Sequence, residues 1–297
     1  MTWTVLICAV ALMSLGADWL VNGCSRLSRR LKISAFAVSA LIMGVGANIP
    51  EILITIMAPA RGLSPTIIPH IITGVMINIL GIIGLCAIAR PISVKNVSKK
   101  EIFVLISASG LMTLMLADGR LGALDGALLL GVFAHYAWDA GSQRHNGRHS
   151  AETHGWPGTA LLLVSGMAVL YCGGELFMDQ LRKIVDEYDL SKEIAGALIV
   201  APGTSGPEIM VSILAIMRRQ PKILTGNIAG SCIAHIMLIA GAAGLAAKPA
   251  GNAFGGFLML LAVIIFSIDI TARGVIARWR GILYLALLGL YFSTILI

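Results

Sequence analysis

The sequence predicts an all-α integral membrane protein of ten transmembrane helices, arranged as two inverted five-helix repeats, on the strength of three observations. Of the 297 residues, 57% are hydrophobic and only 12% charged, whereas a soluble domain carries roughly 25% charged and 45–50% apolar residues. The apolar residues gather into ten runs of a length suited to crossing a bilayer. The chain also matches itself at a fixed offset of 157 residues.

A transmembrane helix needs about 20 mostly apolar residues. The ten runs cover 3–22, 34–60, 66–89, 102–117, 121–139, 157–178, 194–217, 223–247, 253–271 and 281–297. Polar or helix-stopping stretches separate them, among them Arg26 to Lys32, Gly62 to Pro65, Arg90 to Lys100, Gln143 to Pro157 and Asp179 to Glu193. The first run has no basic segment before it and no small-residue cleavage site after it, so it reads as a retained span rather than a signal peptide. Cys8, Cys24, Cys86, Cys172 and Cys232 lie in or beside apolar runs without paired or metal-type spacing, as small core or lipid-facing residues do.

The formal charge of +7 does not point to nucleic acid, because the Lys and Arg residues sit in short clusters between apolar runs, as they do in the loops of membrane proteins. The expected surroundings are a lipid bilayer, with no nucleic-acid partner. Sixteen of the 22 Lys and Arg residues follow odd-numbered spans, which by the positive-inside rule puts both termini outside. The acidic stretch with Asp179, Asp186, Glu187, Asp189 and Glu193 fits that outer face. The short loop between spans five and six leaves no room for a regulatory domain and suits a prokaryotic inner (plasma) membrane. No nucleotide-binding loop is recognisable, so no cofactor or hydrolysed fuel is expected.

The repeat pairs Gly46 with Gly203, Pro50 with Pro207, Glu51 with Glu208 and Ile52 with Ile209. It also pairs Asp18 with Glu175, Leu41 with Leu198, Ala58 with Ala215 and Gly84 with Gly241, all without a gap. Five spans per copy is an odd number, so the second copy must cross the membrane in the opposite sense. Inverted repeats of this kind hold their substrate at the midplane between the halves. The expected division is residues 1–140 for the first repeat, 141–156 for a cytoplasmic linker and 157–297 for the second repeat.

Two segments carry the chemistry: Gly46-Ala47-Asn48-Ile49-Pro50-Glu51 and Gly203-Thr204-Ser205-Gly206-Pro207-Glu208. Proline removes a backbone donor and disturbs the helix one turn earlier, freeing carbonyl groups. In lipid such a break survives only against protein or a watery cavity. Freed carbonyls, hydroxyls and a carboxylate make a hard oxygen site of the kind Na⁺ and Ca²⁺ prefer. A carboxylate at mid-membrane costs about 2.5–3.5 kcal/mol on insertion scales, which makes an ion pathway the default reading. Counting outward from the two hairpin turns puts Glu51 level with Asn78, and Glu208 level with His235. Ser231 stands four residues before His235, and Gly74 four before Asn78.

These residues resemble the two alpha-repeats of sodium/calcium exchangers and related calcium/cation antiporters. GTSGPE followed by TGNIAGSCIAHI is similar to the second alpha-repeat (about 195–237), and GANIPE with Gly74 to Leu80 to a worn first one (about 38–80). The resemblance implies alternating access around a central cation site, exchange of Ca²⁺ for Na⁺ or H⁺, and action as a monomer. It carries the site glutamates onto Glu51 and Glu208, the hydroxyl ligands onto Thr204, Ser205 and Ser231, and the paired Asn or Asp positions onto Asn78 and His235. This chain has Ala47-Asn48 where the family has Thr-Ser, so Asn48 keeps only one oxygen. It has Gly74 for a serine and His235 for an acid or amide. The lost oxygens weaken the case for coupling to several Na⁺ ions and leave a retired, non-transporting homologue as an alternative, beside an antiporter for another metal.

His235 admits three readings: a core histidine bonded to a neighbour, a proton-coupling group, or a ligand to a softer metal with Cys232 nearby. Asp18 and Glu175 read as gate or interface residues, and Asp269 with Arg273 as a structural i, i+4 pair. His145, His149 and His154 fall in a polar loop without zinc spacing. A rival from another class is an intramembrane serine protease of the rhomboid type. Gly203-Thr204-Ser205-Gly206 would then hold the nucleophile and His235 its base. That reading leaves Glu51, Glu208 and the repeat without a purpose.

Overall fold

The computed structural model describes residues 2–46, 48–57, 64–94, 99–142, 155–187 and 205–296. The chain begins with α1 (Thr2–Leu31), α2 (Ala35–Gly46) and α3 (Ile49–Met57). Helix α4 (Ile67–Met76) passes through a π turn (Ile77–Ile82) into α5 (Ile83–Ala89). Strand β1 (Ile92–Ser93), α6 (Lys99–Met115), α7 (Ala123–Ser142) and α8 (Trp156–Glu187) follow. After α9 (Gly206–Met217), α10 (Pro221–Ile233) again passes through a π turn (Ala234–Ile239) into α11 (Ala240–Ala247). Helix α12 (Ala253–Ile268), a π turn (Asp269–Arg273), strand β2 (Val275–Ile276) and α13 (Arg278–Leu296) complete the chain.

Among the described residues six helical stretches are long and apolar enough to cross a membrane. The protein is therefore a helical, multi-pass membrane protein. Ser64–Ala89 and Pro221–Ala247 are each 83% buried, against 28% to 44% for the other four, so these two stand inside the bundle and the others face lipid. Both are mostly apolar but carry buried polar residues, among them Asn78, Asn227, Ser231 and His235.

The offset of 157 seen in the sequence recurs in the backbone. Helices α3 and α9 start at Ile49 and Gly206, the first two π turns at Ile77 and Ala234, and α5 and α11 at Ile83 and Ala240. Helices α1 and α8 are equivalents under this offset and pack antiparallel through glycines. A Cβ at Gly16 would meet Gly166 and Leu170, and one at Gly173 would meet Ala9 and Met13. Likewise Gly84 faces Gly281 and Leu285, while Gly241 faces Gly126 and Leu130. Small residues let such backbones approach closely, and close packing is what associates helices in lipid. Tightest of all is α2 on α10, where a Cβ at Gly230 would overlap the backbone of Ala40.

Several sequence expectations are corrected here. The run expected as one span at 34–60 is two helices, divided at the break that the Pro-Glu motif predicts: α2 ends at Gly46 and α3 starts at Ile49. The stretch Arg26 to Lys32, expected as a break, is helical as far as Leu31; Arg29 and Arg30 in the last turn suit the negative end of the helix dipole. The expected break from Asp179 is likewise helical, to Glu187. The all-helical expectation misses one small ribbon: Ile92 pairs with Ile276 and Ser93 with Val275, antiparallel. A matching bridge joins Arg120 to Ala250, near the positions the repeat offset requires. The expected i, i+4 pair is present, with Arg273 Nε 3.8 Å from the fully buried Asp269, but it is the longest of three contacts. The carboxylate is also held by Arg280 and by the Tyr284 hydroxyl at 2.8 Å.

Candidate cation site

The site grows out of the two helix breaks. Pro50 has no N–H to give to the carbonyl four residues earlier, and the chain bends between α2 and α3. Asn48 stands in that gap and turns its amide back, donating from Nδ2 to the Gly44 carbonyl at 2.6 Å. The α3 ladder then restarts with Ile52 N–H on the Asn48 carbonyl at 3.0 Å. In the second half Ile209 N–H reaches the Ser205 carbonyl at 2.9 Å, with Ser205 as the N-cap of α9 and Pro207 in its first turn. Glu51 and Glu208 thus each occupy the first turn of a helix that starts inside the bundle, where the positive end of the helix dipole favours a carboxylate.

Asn78 and His235 are each the second residue of a π turn, a distortion that recurs at functional sites. The contacts run across the halves. Helix α3, with Glu51, packs on the π turn of His235, and α9, with Glu208, packs on the π turn of Asn78. His235 Nε2 lies 2.9 Å from Glu51 Oε2, and Nδ1 lies 2.8 Å from the Ser231 carbonyl. A carbonyl can only accept, so Nδ1 carries the hydrogen and Nε2 is the nitrogen presented to Glu51. Glu51, Glu208 and His235 are close enough for their charges to act on one another. A cluster of two carboxylates and one imidazole, with Glu208 and His235 buried and Glu51 partly exposed, can attract and hold a cation.

Neutral oxygens border this cluster. Asn48 Oδ1, Asn78 Oδ1 and Ser231 Oγ are buried without a hydrogen-bond partner among the described residues. A buried polar atom left bare costs about 1–3 kcal/mol, and a cation would relieve that cost. Thr204 lies outside the described residues. Of the eight residues expected at the site, Glu51, Glu208, His235 and Ser231 are linked by contact or charge. Asn48, Asn78 and Ser205 lie on the breaks and π turns beside them.

Two residues escaped the sequence reading. His70 Nε2 stands 3.7 Å from the second oxygen of Glu51. Asn227 donates from Nδ2 to the Glu208 carbonyl at 3.3 Å and to Ser212 Oγ at 3.1 Å. The signal was present, because the two are 157 residues apart and both are polar within apolar spans. The protease reading fails on the same geometry: both ring nitrogens of His235 are turned to Glu51 and Ser231, not to Ser205.

Fold and site together define a membrane ion transporter rather than an enzyme. The family model of the sodium/calcium exchanger protein matches residues 1–138 and 158–297. The chain belongs to the sodium/calcium exchanger family. It is 32% identical over 283 residues to membrane protein MJ0091 of Methanocaldococcus jannaschii, covering 93% of this chain and 92% of that one. The inner membrane protein YrbG of Escherichia coli is 26% identical over 282 residues, covering 89% and 87%. Among solved structures the sodium/calcium exchanger from Methanococcus jannaschii superposes with a TM-score of 0.88 at 29% identity, covering 98% of this chain and 97% of that one.

Proposed function

We propose that the chain is a secondary cation antiporter that exchanges Ca²⁺ for Na⁺ or H⁺ by alternating access between two inverted five-span repeats. One observation carries this reading. Two glutamates, equivalent under the repeat, sit in the first turns of helices that restart after a break, one of them 2.9 Å from His235 and the other close enough for their charges to interact. Two carboxylates match the charge of one divalent ion, and hard oxygens suit Ca²⁺. The sodium/calcium exchanger from M. jannaschii, which has the same fold at 29% identity, supports the ion class. Glu51 and Glu208 carry the charge of the ion in this reading. Asn48, Asn78, Thr204, Ser205 and Ser231 supply neutral oxygens, and His235 tunes the coupling ion. Because the repeats are inverted, the same cluster faces one side when one half rocks and the other side when its mate does.

The test is uptake of radioactive calcium into proteoliposomes under separately imposed Na⁺ and proton gradients, for wild type and Glu208→Gln. Uptake driven by one gradient and lost in the variant establishes antiport and names the coupling ion. No uptake by wild type under either gradient rejects calcium as the cargo.

A further inference from the structure

We infer that Gly74 and His235 form a size-matched pair that sets ion selectivity, the bare glycine admitting an imidazole that occupies one oxygen of Glu51 in place of a cation. The inference rests on the reading of Glu51 as an ion ligand and adds a protein side chain as a resident competitor.

The geometry leaves little freedom. A Cβ at Gly74 would stand 2.8 Å from His235 Nε2 and 3.0 Å from Cδ2, closer than packed carbon atoms come. The ring cannot yield by a simple swing, because Nδ1 is tied to the Ser231 carbonyl at 2.8 Å and Nε2 to Glu51 Oε2 at 2.9 Å. Any side chain at 74 therefore drives the imidazole off Glu51. The two positions are not equivalents under the repeat: Gly74 matches Ser231, and His235 matches Asn78. The pair is an accommodation between the halves, in which the space lost on one side is filled from the other. In consequence Oε2 of Glu51 is not free. An arriving cation must displace the ring or make do with the remaining oxygens, so the site holds fewer ions than its two glutamates would allow.

The experiment is a double-mutant cycle on the purified full chain with Gly74→Ala, His235→Ala and the pair, read by thermal unfolding and by binding of radioactive calcium. Gly74→Ala should lower the unfolding midpoint in wild type and leave it unchanged in the His235→Ala background, where there is no ring to displace. His235→Ala should tighten calcium binding about tenfold or more, the scale of one close charge pair. Gly74→Ala should shift binding in the same direction, and the double variant no further than His235→Ala. His235→Asn removes the ring and offers an amide oxygen like that of Asn78, so it should bind calcium at least as tightly as His235→Ala, and it serves if that variant fails to fold. An equal cost of Gly74→Ala in both backgrounds overturns the pairing. Calcium binding unchanged, weakened or absent after removal of the ring overturns the role as competitor. Failure of the antiport reading looks different: the cycle stands and calcium binds, but wild-type vesicles take up none under either gradient.

Discussion

Replacing Asn227 by alanine tests whether the carboxylate of Glu208 is positioned from α10. The amide is buried and makes two hydrogen bonds, to the Glu208 carbonyl at 3.3 Å and to Ser212 Oγ at 3.1 Å. Each is a bond between neutral groups, with a net contribution of about 1 kcal/mol. Their loss is not fully additive. Ser212 follows Glu208 by four residues, so its hydroxyl can turn back onto the same carbonyl, the usual local alternative for serine in a helix. Asn227→Ala should therefore cost about 1–2 kcal/mol of stability. Asn227→Ala with Ser212→Ala should cost more than the two single changes together, because no side chain then reaches the carbonyl, which keeps only its helical N–H partner. Function should follow the same order. The half-saturating calcium concentration for uptake should rise several-fold in Asn227→Ala and further in the double variant, with the maximal rate reduced less. A fall in thermal midpoint with an unchanged half-saturating concentration would refute the argument, leaving Asn227 as a packing residue alone.

Three further outcomes follow from the same structure. Asp269→Asn should destabilise the protein by about 3–5 kcal/mol, the usual cost of breaking a buried pair. It strands Arg280, whose side chain is only 12% exposed, whereas Arg273→Gln, at 53% exposure, should cost no more than about 1 kcal/mol; thermal unfolding of the two variants compares them. Gly230→Ala should cost about 1–3 kcal/mol by forcing α2 away from α10 at Ala40, seen as a lower midpoint and reduced yield of folded protein. Glu208→Gln should weaken calcium binding more than Glu51→Gln does, because Glu51 already has His235 at 2.9 Å and His70 at 3.7 Å against its two oxygens; equal losses in a binding assay would count against that asymmetry.

Much of the fold was legible because its signals are local or periodic. Apolar composition gave the helical, multi-pass class, of which six spans are seen among the described residues, and the Pro-Glu pair at a fixed offset gave both helix breaks and the carboxylates inside them. What stayed hidden depends on contacts between distant segments. Asp269 reads in sequence as a partner of Arg273, four residues on, since nothing local reveals that the chain reverses at Gly274 and brings Arg280 and Tyr284 back to it. The π turns leave no mark in the sequence either; neither Asn78 nor His235 is preceded by proline within the turn, and the extra residue is absorbed by packing. Counting from the hairpin turns paired His235 with Glu208, whereas its close contact is with Glu51. Depth is set along one hairpin, whereas the contact with Glu51 is made by a helix from the other half.

That cross-contact bears on how the two halves divide the work. The backbone obeys the offset of 157 at the helix starts and at the π turns, yet the side chains at the site do not. Gly74 stands against Ser231, Asn78 against His235, Asn48 against Ser205 and His70 against Asn227; only the glutamates and their prolines are kept in both copies. A symmetric backbone is what an alternating mechanism needs, since each half must be able to take the place of the other. An asymmetric lining is what ion choice needs, since equal halves would offer two equal sites. Here both imidazoles address Glu51, while the backbone of Glu208 is fixed by a neutral amide. Glu51 is thereby partly paired from within the protein, so in the proposed antiport Glu208 is the carboxylate on which an arriving cation would depend most.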